Sequence, residues 1–74
     1  MGIKQRIKEI IFDHTRIDGI HDETTNKDLG IDSLDQVEIV MEIEKQFNIT
    51  IQDEEIEKLR QFSDYVTLVE GKTT

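Results

Sequence analysis

The chain has no cysteine, no proline and no tryptophan. Without thiols, neither a disulfide nor a thiolate metal centre can staple it. Aromatic residues are scarce, three Phe and one Tyr in 74 residues, so any packed interior has to be built from aliphatic side chains. At this length such an interior lies close to the lower limit for a domain that folds unaided. Long apolar runs are missing too, and none approaches the roughly 20 residues needed to span a bilayer. The N-terminal MGIKQRIKEIIF is charged from its fourth residue and has no apolar stretch like that of a signal peptide. These absences set the expectation of one soluble, cytoplasmic domain over residues 1–74, without stable membrane insertion.

Positive charge is the other shortage. Nine Lys and Arg face 17 Asp and Glu, for a net charge of −8. A surface of that sign repels nucleic acid and anionic lipid, and its natural complement is a basic protein surface. Acidic composition alone also suits a disordered chain, but the regular spacing of isoleucine argues for a folded one.

Ile3, Ile7, Ile10 and Ile11 recur at helical spacing and predict an amphipathic helix over about residues 2–13. Residues 14–31 show no helical period and are rich in Gly, Asn, Thr and Asp, which form turns and caps. A connection of that length is often functional, and Ile17, Ile20, Leu29 and Ile31 are expected to pin it to the core. A second helix is expected from Ser33 to about Phe47, capped by Asp32 or by Ser33 with Gln36, and stopped at Asn48. ITIQDEEIEKLR predicts a short extended piece and one or two helical turns capped at Asp53, and Ser63 is placed to cap a last helix ending at Gly71. The sum is an all-α bundle of three main helices plus one short helix, with a long loop between helices one and two.

Helix two carries two apolar faces. Ile39, Val40, Ile43 and Phe47 form a core stripe, while Leu34, Val37 and Met41 form a second stripe rotated away from it. Asp35, Glu38, Glu42 and Lys45 lie beyond the second stripe, and Glu44 borders it from the core side. Three apolar anchors inside an acidic rim suit a docking strip; partial cover by neighbouring helices is the plainer alternative.

Ser33, at the head of this helix, has three possible uses. A catalytic nucleophile needs a base, and the only imidazoles, His14 and His21, are both expected in the first loop, while D-S-L-D is not the G-x-S-x-G elbow of hydrolases. A helix cap needs no further function. An attachment point suits a phosphodiester, because the free N–H groups and positive dipole at a helix start favour phosphate.

The run DLGIDSLDQVEIVMEIEKQFNITIQDEE resembles the signature of acyl carrier proteins, with D-S-L at the start of helix two, and the likeness extends over about residues 2–71. The resemblance implies a carrier, with no catalytic residue of its own. Ser33 would hold 4′-phosphopantetheine, transferred from coenzyme A by a separate phosphopantetheinyl transferase, and acyl groups would ride on its terminal thiol as thioesters. The matching docking positions are Asp32, Leu34, Asp35, Val37, Glu38, Met41 and Glu44, implied to meet basic surfaces of acyl-processing enzymes. Leu29, Ile39, Ile43, Phe47, Ile51, Ile56, Leu59, Tyr65 and Leu68 are implied to line an acyl pocket. The expectation is a monomer serving fatty acid biosynthesis. Certain residues depart from the pattern: Gln52 stands where the family favours Pro, Lys45 breaks the acidic rim, and Ile56 and Tyr65 are bulkier than usual. The first loop is also slightly short. These changes leave room for a specialised carrier in polyketide, lipid or amino-acyl chemistry. No metal site is expected, since His14 and His21 are isolated in sequence and the EF-hand spacing is absent.

Overall fold

The computed structural model of the chain describes residues 2–73. It has four helices, α1 (Ile3–Thr15), α2 (Ser33–Phe47), α3 (Asp53–Ile56) and α4 (Phe62–Thr73), and no strand among the described residues beyond an isolated bridge between Thr25 and Gln61. The all-α expectation holds, with three main helices, one short one and a long first connection.

Helix boundaries follow local chemistry. α2 begins because the extended backbone of Asp32 turns its carboxylate onto the next turn. Asp32 Oδ1 accepts from the Asp35 N–H at 2.9 Å, and Asp35 Oδ2 accepts from the Asp32 N–H at 3.3 Å. The capping box therefore joins two aspartates, not Ser33 and Gln36. α2 ends at Asn48, which adopts the left-handed conformation at φ 56°, as expected of a terminal Asn. α1 runs two residues past its expected end and stops at Arg16, also left-handed at φ 62°. The caps expected at Asp53 and Ser63 shift. Gln52 takes the cap position of α3, its N–H bonded to Glu55 Oε1 at 2.9 Å. Before α4, Asp64 Oδ2 accepts the N–H groups of Arg60 and Gln61 at 2.9 and 3.1 Å. Gly71 lies inside α4 and does not end it.

The core forms where α1 packs on both α2 and α4. Ile7, Ile10 and Ile11 meet Ile39, Val40 and Ile43 of α2 and Phe62, Tyr65 and Val69 of α4 in one buried cluster. Each aliphatic side chain so removed from water contributes about 1.5–3 kcal/mol. The long loop contributes Ile20, Leu29 and Ile31 to that cluster. Ile17, expected as a fourth anchor, is instead 40% exposed. Backbone bonds finish the attachment: Asn26 N–H to Arg60 O at 3.0 Å, Phe62 N–H to Thr24 O at 2.8 Å, and Ser63 N–H to Asp22 O at 3.0 Å. The Lys4–Asp22 ion pair at 2.7 Å ties the same loop to α1. The result fixes the point at which the chain turns into α2.

Candidate attachment and docking site

Because Asp32 and Asp35 cap each other, the hydroxyl of Ser33 is released from that duty. It is exposed and makes no hydrogen bond to any described residue. Ser33 is the first residue of a 15-residue helix, whose opening N–H groups have no partner within the helix. An exposed, uncommitted oxygen beside such N–H groups fits a serine phosphodiester, whose charge the helix dipole favours. No imidazole serves it: His14 Nε2 sits 3.1 Å from Asp35 Oδ1 and 3.7 Å from Glu38 Oε2. Ser33 thus has neither the base nor the base-orienting group of a catalytic serine.

The strip beyond Ser33 is open. Leu34 is 68% exposed, Met41 61% and Val37 44%, so the neighbouring helices do not cover these three. Large apolar side chains left this open on a small domain contribute little to its core and are compatible with an interaction surface. The acids around them divide by duty. Asp35 is held by the cap and by His14, and that imidazole, followed by the Asp32 N–H, keeps its carboxyl below the ordinary range. Glu38 is exposed. Glu44 differs: its Oε2 accepts the Ile51 N–H at 2.8 Å and fixes the chain leaving α2, so it has a structural task that its place in the rim does not suggest.

Of the expected pocket residues, Leu29, Ile39, Ile43, Ile51, Leu59 and Tyr65 are buried, while Phe47, Ile56 and Leu68 are only partly buried against them. The Arg6 guanidinium covers Phe47, 4.1 Å from its ring centroid. The middle of this group is polar. The Tyr65 hydroxyl donates to Asn26 Oδ1 at 2.8 Å and accepts from Gln36 Nε2 at 3.3 Å. Asn26 Nδ2 and Gln36 Nε2 also donate to the Leu59 carbonyl, at 2.7 and 2.9 Å. Burial pushes the Tyr65 pKa up, so the hydroxyl stays protonated and able to donate. The network joins the first loop, α2, the segment after α3 and α4, one helical turn from Ser33. In the sequence Gln36 suggests only a capping partner for Ser33 and Asn26 only a turn residue, so neither signals this interior network.

A small helical bundle with a solvent-exposed serine at a helix start and an apolar strip in an acidic rim is compatible with a carrier, and comparison with known proteins gives the class. The sequence profile described as "Phosphopantetheine attachment site" matches residues 5–69, and the chain belongs to that family. It is 40% identical to the acyl carrier protein of Buchnera aphidicola subsp. Acyrthosiphon pisum (strain 5A), across 96% of this chain and 92% of that one. It is 33% identical to the acyl carrier protein of Solidesulfovibrio magneticus, across 97% and 96% of the two chains. The crystal structure of an acyl carrier protein from Thermotoga maritima superposes with a TM-score of 0.82 at 34% identity, covering 92% of this chain and 82% of that one. The chain is thus an acyl carrier with covalent 4′-phosphopantetheine as its cofactor, and not an enzyme. Among the described residues, no helix is long and apolar enough to cross a membrane.

Proposed function

We propose that Ser33 is the residue esterified to 4′-phosphopantetheine. Support comes chiefly from its hydroxyl, which is exposed and unbonded at the first position of α2 while the adjacent aspartates cap the helix in its place. Bound there, the arm supplies the thiol that a chain without cysteine lacks, and acyl groups are held on it as thioesters. The protein's own residues position that arm. Gly30, at φ 65°, turns the backbone between buried Leu29 and Ile31 so that the helix start faces outward.

Leu34, Val37 and Met41 form the docking strip for the phosphopantetheinyl transferase and the acyl-processing enzymes. Asp32, Asp35 and Glu38 steer the basic surfaces of those enzymes towards it, with Glu44 at the edge. The protein works as a single domain over residues 1–74 in the cytoplasm, as a monomer whose copies are kept apart by eight net negative charges. Fatty acid biosynthesis is the pathway it serves. A specialised carrier is the second reading, favoured by the fully buried Phe62 and Tyr65 and the hydrogen bonds that occupy the middle of the bundle.

The test is intact mass after incubation with coenzyme A and a broad-specificity transferase. The expected result is a gain of one phosphopantetheine in the wild type and none in Ser33→Ala. A folded wild type that gains nothing, or an alanine variant that still gains it, rejects the assignment.

A further inference from the structure

His14 is the side chain that the carrier function leaves unused. It stands in the last turn of α1, where sequence alone shows no partner, and the packing of α1 on α2 brings it to two carboxylates. The Nε2 atom lies 3.1 Å from Asp35 Oδ1 and 3.7 Å from Glu38 Oε2, and the three donor atoms all fall within 4.8 Å of one another. Ligands about 2.0–2.1 Å from a tetrahedral ion stand about 3.3 Å apart. The two His14 distances bracket that edge, and rotation of the Glu38 side chain, which is exposed, is what brings the third ligand to an ion held between them.

Two further features favour a cation here. His14 and Glu38 line a groove of about 440 Å³ between the helices, together with Asp13 and Glu42, so the surroundings are negative beyond the ligands themselves. Asp35 is also held in place, because its other oxygen, Oδ2, receives the Asp32 N–H. A carboxylate anchored through one oxygen presents the other at a fixed position, which is how outer hydrogen bonds orient a metal ligand. The side chain of His14 is 27% exposed and that of Asp35 35%, so an ion can reach both.

We propose that His14, Asp35 and Glu38 form a binding site for a divalent transition ion of the Zn²⁺ type. One imidazole and two carboxylates suit a borderline ion, whereas Mg²⁺ and Ca²⁺ take oxygen ligands and gain little from the imidazole. The site bridges α1 to the first two turns of α2, and its occupation locks the seam between them.

The experiment is calorimetric titration of Zn²⁺ into the full, untagged chain, with Co²⁺ absorption as a second readout. The expected wild-type result is one saturable site that survives a hundredfold excess of Mg²⁺, with the intense visible bands of low-coordinate Co²⁺ and a higher melting temperature. His14→Gln should weaken Zn²⁺ at least tenfold and abolish the Co²⁺ bands, and Glu38→Gln should weaken it as well. Both positions are on the surface, and circular dichroism reports whether each variant keeps its helices. Displacement of Zn²⁺ by Mg²⁺ in the wild type, or wild-type affinity in either folded variant, overturns the site and leaves only diffuse attraction to an acidic face.

Discussion

The Tyr65 hydroxyl lies 2.8 Å from Asn26 Oδ1, joining two residues 39 positions apart across the interior of the bundle. Gln36 completes the pair from α2. Tyr65→Phe keeps the ring and removes the hydroxyl, leaving Asn26 Oδ1 without its donor. Loss of such a partner costs about 1–2 kcal/mol. The expected outcome is a lower urea midpoint at unchanged slope, and an unshifted midpoint would show that the network contributes nothing net.

The same ring should limit cargo. Tyr65 is 1% exposed and Phe62 0%, so an acyl chain entering the bundle must displace packed side chains. Each buried methylene contributes about 0.8 kcal/mol, against about 1–3 kcal/mol for overpacking. Melting temperature should therefore rise only modestly along an acyl series on the wild type. It should rise more steeply on Tyr65→Ala, which lowers the starting stability by about 3–5 kcal/mol but opens space. Steep stabilisation of the wild type by long chains would refute the restricted interior.

Two acids of α2 should separate folding from docking. Glu44→Ala removes the acceptor of the Ile51 N–H and should cost about 1–2 kcal/mol. Glu38→Lys, on an exposed position, should leave the melting temperature nearly unchanged. It should slow transferase loading and flatten its salt dependence, since exposed charges act mainly on encounter. Equal loading rates for Glu38→Lys and wild type would remove Glu38 from the docking surface.

Acid should weaken the fold through Asp28. The Thr25 backbone N–H, then its hydroxyl, hold the Asp28 carboxyl below its usual value of 3.8. A lowered carboxylate stabilises the folded state fully above the unfolded value, and that contribution is lost as pH falls through the folded one. Melting temperature measured below about pH 4 should therefore fall less steeply in Asp28→Asn than in the wild type. Because hydrogen bonds set the shift, the difference should persist in high salt; parallel curves would show that the Thr25–Asp28 turn is not coupled to folding.

Arg16 holds a left-handed conformation at the end of α1, a place where glycine is the usual residue. A side chain there costs roughly 1–2 kcal/mol, part of which glycine returns as unfolded-state entropy. Arg16→Gly should stabilise the protein by up to about 1 kcal/mol, measured by urea unfolding. A loss of stability would mean that the packing of Arg16 on Phe12 outweighs the backbone strain.

Elements with a local rule were readable beforehand. The isoleucine spacing of α1, the span of α2 and the Asn48 stop follow from side-chain periodicity and terminal conformation, which depend on residues only a few positions apart. The exposed strip of Leu34, Val37 and Met41 was legible for the same reason. What escaped was long-range or degenerate. Gln36 meets Tyr65 across 29 residues, and His14 meets Asp35 across 21, with no periodic pattern to mark either pair. Around α4, Ser63 and Asp64 are both good capping residues. The Asp64 carboxylate takes the Arg60 and Gln61 N–H groups, while the Ser63 N–H goes to the Asp22 carbonyl of the distant loop.

Leu34 and Met41 are uncovered, and a surface open to a partner enzyme is equally open to another copy of the same chain. In a concentrated solution what separates two such strips is mutual repulsion, which fades near the isoelectric point of about 4.5. There the charge no longer opposes contact between exposed apolar side chains. If that strip is the docking surface, solubility and recognition are set by one patch, and a variant made less acidic to widen its choice of partners should become less soluble in the same step.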